Sequence, residues 1–231
     1  MASRSEEEEA FGVGLRPGSE HYRAYVGPPE HYDLIAGLQF TLLFKAGLRE
    51  THKLLDLGCG SLRGGRLFIP YLRPGHYFGV EPNEWLVQEG IARELGMDVL
   101  RVKRPTFSTI ADFDLAQLGE RFDFALAQSI FSHTFGDLAR KGLSGLRECL
   151  AEGGVLLATF FEREQTAEGS GWRYPTNVPY TWDAFSAIAD EAGLAVRRLE
   201  WPHPRQTWFA GALDEDTAAR TAARVAGPGG A

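Results

Sequence analysis

The stretch Lys53-Leu54-Leu55-Asp56-Leu57-Gly58-Cys59-Gly60-Ser61-Leu62-Arg63-Gly64-Gly65 constrains the fold more than any other part of the chain. Its left half is a short apolar run carrying a carboxylate, which reads as a buried strand of a parallel sheet. The glycines that follow suit a turn whose backbone has to pass close to a ligand. Arg66, Leu67, Phe68, Ile69, Tyr71 and Leu72 then supply a helix start, with its backbone N–H groups facing the turn. Strand, glycine turn and helix together make a nucleotide-type binding corner.

The second half of that corner is Tyr77-Phe78-Gly79-Val80-Glu81-Pro82-Asn83, again a short apolar strand ending in a carboxylate. Glu81 follows Gly60 by 21 positions. That is close to the spacing at which an acid on the second strand reaches a ribose hydroxyl pair. A glycine turn alone says little; with a correctly spaced acid it says much more.

These two segments, together with Phe122-Asp123-Phe124-Ala125-Leu126-Ala127-Gln128, resemble the class I S-adenosylmethionine-dependent methyltransferases over residues 50 to 212. The resemblance implies an α/β fold: a seven-stranded, mostly parallel, doubly wound sheet with an antiparallel last strand and helices on both faces. It implies S-adenosyl-L-methionine as cofactor and an enzyme that transfers its methyl group. Carried over by motif, Asp56, Gly58, Cys59, Gly60 and Ser61 form the turn beside the methionine part. Glu81 reaches the ribose, with Asn83 assisting it or merely starting a helix. Gln128 and Ser129, ending the fourth strand, lie near the methionine part or the reacting methyl. Arg63 pairs with the cofactor carboxylate or, alternatively, forms a surface ion pair. The family often has a third glycine two positions after the second, whereas Leu62 stands there in this chain and glycines return at Gly64 and Gly65. A different backbone path around the methionine end is therefore expected.

The N-terminal residues 1–20 carry the run Glu6-Glu7-Glu8-Glu9 and read as a flexible, solvated terminus. Residues 21–213 read as one domain, of which 21–50 form an N-terminal lid and helix. Ile35, Leu38, Gln39, Leu42, Leu43 and Ala46 recur at helical spacing after Gly27-Pro28-Pro29, and Gly47 is a natural terminator. Downstream, the patterning predicts a helix over 84–95, a weak strand over 99–102 and a clear fourth strand over 122–127. A helix over 137–150 and a fifth strand over 155–161 follow. A helix over 181–191 capped by Thr181 and strands over 194–199 and 206–213 complete the domain. Residues 214–231 read as a short exposed helix and a flexible tail.

Two aromatic segments fall outside this core pattern. Tyr22 and Tyr25 lie in the N-terminal segment, and Trp172 and Tyr174 lie in the long loop 162–180 that leaves the fifth strand. A loop of that length in a compact domain is usually functional or disordered, and it starts on the side where open sheets bind ligands. These four residues are the candidate substrate contacts, forming a lid over the acceptor; capping of the core is the competing reading. His133, a few residues past the fourth strand, is the candidate catalytic base, because a neutral imidazole can accept a nucleophile's proton. Glu162 is the alternative base, and for His133 a role in satisfying loop backbone competes.

Composition narrows the function classes. A net charge of −7 argues against a basic nucleic-acid-binding surface. Two cysteines and six histidines without ligand spacing predict neither a disulfide framework nor a metal site. No long apolar span predicts membrane insertion, and a cytoplasmic protein is the expectation. The expected partner is a small-molecule acceptor with an oxygen or nitrogen nucleophile; the oligomeric state is unassigned. A peptide or protein acceptor and a cofactor-binding protein without turnover remain alternatives. A nicotinamide-dependent oxidoreductase is disfavoured, since its fingerprint needs a glycine where Arg63 stands.

Overall fold

The computed structural model of the protein describes residues 10–227. The acidic run Glu6–Glu9 and the last four residues lie outside them. Helix α1 (Tyr22–Tyr25) and helix α2 (Tyr32–Ala46) precede strand β1 (Leu54–Leu57). Then come α3 (Gly65–Tyr71), β2 (Tyr77–Val80), α4 (Glu84–Gly90), α5 (Met97–Lys103), β3 (Thr106–Ser108) and β4 (Phe122–Ala127). The second half contains α6 (Gly136–Cys149), β5 (Leu150–Glu162), β6 (Pro179–Tyr180), α7 (Trp182–Glu191), β7 (Ala195–Leu199), β8 (Thr207–Ala212) and α8 (Glu215–Ala226).

The main sheet runs β3-β2-β1-β4-β5-β8-β7, with the two-residue β6 added beside the end of β5. β1 lies parallel to β2 on one side and β4 on the other, with Asp56 opposite Gly79 and Leu55 opposite Ala125. β8 runs antiparallel to both β5 and β7. The strand order reverses direction between β1 and β4, and such a switch point opens a crevice at the carboxyl ends of the strands.

Strand alternation sends side chains into two cores. Leu55, Leu57, Ala125 and Leu156 face one core, with Leu143 and Leu146 of α6 and Phe185 and Ala189 of α7. Leu54, Phe124, Leu126 and Leu157 face the other, with Leu42 and Leu43 of α2, Phe68 of α3 and Val225 of α8. Both faces of β1 and β4 are thus covered, which is why these strands read as continuous apolar runs.

Helix α2 begins after Pro28-Pro29 and ends where Gly47 takes φ 119° and donates to the Leu43 and Phe44 carbonyls. The Thr181 side chain accepts from the Ala184 N–H and caps α7 as expected.

Three elements depart from their sequence patterns. The weak strand expected over 99–102 is part of helix α5: Val99 and Val102, three apart, suit a helix as well as a strand, and only Val99 packs against the core. The third strand starts after Pro105, which cannot continue the helix. The helix over 84–95 is regular only to Gly90 and finishes as a π-helical turn, Ile91–Leu95. Finally, α8 is not freely exposed: Ala218, Thr221 and Val225 are buried on one face.

Candidate active site

The turn after β1 is tied to β2 through its backbone, since the Gly58 and Cys59 N–H groups donate to the Val80 carbonyl at 2.8 and 3.1 Å. Gly58 and Gly60 take φ values of 73° and 54°. A Cβ on Gly58 would fall 2.3 Å from Ile130, and one on Gly60 2.7 Å from Val26. Glycine is required at both places by conformation and by space. Leu62 occupies the same left-handed region, with φ 59°. The departure from the family's third glycine therefore leaves that residue in the backbone conformation a glycine would favour. Holding a non-glycine residue there costs about 1–2 kcal/mol. Complete burial of the Leu62 side chain offsets this by about 1.5–3 kcal/mol.

Beyond the turn lies a cavity of about 440 Å³ at the carboxyl ends of β1, β2 and β4. Its volume is in the range of small-molecule sites. Glu81 reaches its wall from the end of β2. Its Oε2 accepts from the Gly60 N–H at 3.1 Å, and its Oε1 accepts from the Asn83 N–H and the Asn83 amide, each at 2.8 Å. Burial raises the Glu81 pKa, and these donors oppose the shift. Asn83 therefore both supports Glu81 and precedes α4. Apolar side chains, among them Leu86, Ile110, Phe113 and Ile130, line one part of the cavity.

A second part is polar. Arg63 donates to the Val26 carbonyl at 2.8 Å and to Gln128 Oε1. Its Nε is buried without a partner, and no carboxylate lies within ion-pair distance among the described residues. Burial lowers its pKa to about 10. The reading of Arg63 as a surface ion pair is thereby corrected, because the guanidinium is drawn into the cavity wall. Gln128 also accepts from Gln39 at 2.9 Å and donates to Ser129 Oγ at 2.9 Å. Gln206 joins the same network, donating to Ser129 Oγ at 2.7 Å and accepting from Thr159 at 2.6 Å.

Three of the expected turn residues stand behind this wall rather than in it. Asp56 is buried and accepts from the Tyr77 hydroxyl at 2.7 Å; burial pushes its pKa to about 6. Cys59 is buried, with its thiol pushed well up by burial. The Ser61 carbonyl accepts from the Tyr32 hydroxyl at 3.0 Å. These groups hold the turn in place and leave the cavity surface to Gly58, Gly60 and Arg63.

The two aromatic segments meet over the cavity. Tyr25 packs 5.3 Å from both Trp85 and Tyr174, and Tyr174 lies 5.0 Å from the His133 ring. Trp172 is near-parallel to Tyr174 at 6.5 Å. The loop is fastened along the segment after β4: Arg173 donates to the His133 carbonyl at 2.7 Å and Val178 to the Ser132 carbonyl at 2.7 Å. It is therefore ordered by backbone pairing, as a strand would be. Tyr22 does not line the cavity. Its hydroxyl donates to Glu94 at 3.0 Å, beside an ion-pair network in which Arg23 meets Glu94 at 2.7 Å and Arg66 meets Glu94 at 3.0 Å.

His133 lines the cavity with its Nδ1 2.9 Å from the Thr176 carbonyl. Nδ1 therefore carries the proton, and Nε2 is left as the basic nitrogen. Burial lowers its pKa, with Arg205 adding to the effect. Glu162 does not line the cavity and is ion-paired to Arg198 at 2.5 Å, so His133 stands as the only one of the two at the site. Arg205, just before β8, also lines the cavity, while Gln39, His203 and Gln206 stand behind its polar wall, bonded to Gln128 or Ser129; no local pattern marks any of the four. Among the described residues no three His, Cys, Asp or Glu side chains gather as a metal site.

The donor set fits S-adenosyl-L-methionine. A hydrogen-bonded carboxylate can receive ribose hydroxyls, an apolar slot can receive adenine, and a guanidinium with a buried, unpartnered Nε can receive a carboxylate.

Residues 55–156 match the family model described as a methyltransferase domain. No curated protein sequence matches the chain. Among solved structures, the fold is similar to magnesium protoporphyrin IX methyltransferase from Synechocystis PCC 6803 with bound SAH. That match has a TM-score of 0.59 and 15% identity, covering 89% of this chain and 91% of the other. DesVI from Streptomyces venezuelae gives a TM-score of 0.58 and 18% identity, covering 92% and 100%. The sugar N-methyltransferase KedS8 from Streptoalloteichus sp ATCC 53650 gives 0.57 and 15%, covering 78% and 87%. The chain thus carries a match to a methyltransferase domain over residues 55–156, on a fold shared with S-adenosylmethionine-dependent methyltransferases of known structure.

Proposed function

We propose that this S-adenosylmethionine-dependent methyltransferase transfers the methyl group to an oxygen or nitrogen of a small-molecule acceptor, with His133 receiving the acceptor's proton. The observation that carries the proposal is the His133 tautomer: the Thr176 carbonyl holds the Nδ1 proton and leaves a basic Nε2 in the cavity wall. The cofactor supplies an electrophilic methyl on a sulfonium. The chain's own work is to bind, orient and exclude water. Glu81 would hold the ribose hydroxyls, Arg63 the carboxylate, and Gly58 and Gly60 the close backbone approach. Gln128 and Ser129 would fix the methionine end through their shared network. Tyr25, Trp172 and Tyr174 would close over the acceptor, and residues 21–50 would act as part of the lid of one domain spanning 21–213.

Small acceptors are favoured because the cavity holds only about 440 Å³ and is lined by the rings of Tyr25, Trp172 and Tyr174. The sugar N-methyltransferase fold-neighbour supports the same class. We place the protein in the cytoplasm on the strength of its two free, buried cysteines; no described helix is long and apolar enough to cross a membrane.

The test is a screen of hydroxyl- and amine-bearing small molecules for adenosylhomocysteine formation, repeated with His133→Gln on the acceptor found. Turnover should fall by about 10²–10⁴-fold, the range for removal of a general base, while cofactor affinity is kept. In the wild type, kcat/KM should drop on acidification with an apparent pKa below 6.5, the usual value from which His133 is lowered. Normal turnover in His133→Gln removes the assigned base.

A further inference from the structure

Arg205 lines the cavity from the turn before β8, close to the lid. It is exposed, and its side chain makes no ion pair or hydrogen bond among the described residues; only its backbone N–H is engaged, by His203 at 3.1 Å. Arg63 also lacks a carboxylate partner. The one carboxylate in the cavity wall is Glu81, already accepting three N–H groups. The wall thus carries two guanidiniums against one carboxylate.

The cofactor does not cancel this excess. S-adenosylmethionine bears a sulfonium and an ammonium against a single carboxylate, so it is itself a net cation. With that carboxylate on Arg63, Arg205 still has no counter-charge. Arg205 is thus an exposed, unpaired guanidinium at the cavity wall, available to an anionic group of a bound ligand. The field is already felt by neighbours: the charges of Arg63 and Arg205 add to burial in holding His203 down at about 4.

The rest of this end is flat and aromatic. Tyr174 and Trp172 lie at an interplanar angle of 27°, and Tyr25 flanks Tyr174 at 35°. Arg205 and His133 line the same cavity as these rings, so one acceptor seated in it can address both.

Building on the methyl-transfer reading above, we infer that the acceptor is a planar aromatic acid. Its carboxylate binds Arg205, its ring lies against Tyr174 and Trp172, and its hydroxyl or amine meets His133. Charge complementarity then selects the acceptor, and the same charge balances the cationic cofactor.

The test is calorimetric titration of adenosylhomocysteine-saturated protein with 3- and 4-hydroxybenzoate and with the corresponding neutral hydroxybenzamides. The acids should bind about tenfold more tightly than the amides, as expected for one charge-assisted contact. Arg205→Gln should erase that preference while leaving amide affinity and adenosylhomocysteine affinity unchanged, and Arg205→Lys should keep part of it. Acids that bind no better than amides, or that fail to bind, overturn the inference and leave the methyl-transfer reading standing. A preference that survives Arg205→Gln overturns it equally. Failure of adenosylhomocysteine itself to bind removes both.

Discussion

Asp56 carries a charge that the folded protein does not favour. It is buried beneath the glycine turn, and the Tyr77 hydroxyl only partly compensates for lost hydration. Its pKa rises from 3.8 to about 6, so between those values the folded chain binds more protons at this site than the unfolded chain does. The stability contributed by this group therefore falls as pH rises through that window and stays low above it. Asp56→Asn keeps an acceptor for Tyr77 and removes the charge. It should stabilise the protein by about 1–3 kcal/mol at pH 7 and by much less at pH 4. Urea unfolding at the two pH values measures the difference; equal stabilisation at both contradicts the assigned cause. Leu62 shows the converse situation, a strained backbone kept by a well-buried side chain.

At the scale of elements, α1 is held by charge as well as by the buried Tyr22 and Ala24. Glu94 sits on the π-helical turn after α4 and bridges Arg23 of α1 to Arg66 of α3, with the Arg23 and Glu94 side chains each 8% exposed. Removing one partner of such a pair leaves buried charge behind, at about 3–5 kcal/mol. Glu94→Gln should therefore raise amide exchange over residues 22–26 and speed cofactor release, leaving exchange in β1 and β4 unchanged. Unaltered exchange over 22–26 would show that the aromatic contacts alone secure this segment. Periodicity predicted α2 and α7 because each couples a repeating apolar face to a clear cap or glycine stop, α6 from its apolar face alone, and the inner strands from their continuous apolar runs. It misplaced the third strand because a seven-residue helix and a short edge strand present too few residues to separate the two periods.

At the scale of the whole molecule, the cofactor corner was legible because its parts are close in sequence: two glycines within one turn and an acid on the adjacent strand. The proposed acceptor side was legible only as two aromatic-rich segments without core periodicity. That Tyr25 and Tyr174 meet, or that Gln39, Gln128 and His203 share a network, depends on chain crossings no local pattern encodes. Tyr22, grouped in sequence with Tyr25, is separated from it by a single helical turn and serves the ion-pair network instead. The central proposal is that the cavity at the β1–β4 switch point holds the cofactor and that Glu81 organises it. Titration of wild type and Glu81→Ala with S-adenosylmethionine tests this most directly. Saturable binding by the wild type, weakened by about 1–3 kcal/mol in the variant, is the expected result; no binding, or equal affinity in both proteins, would contradict it.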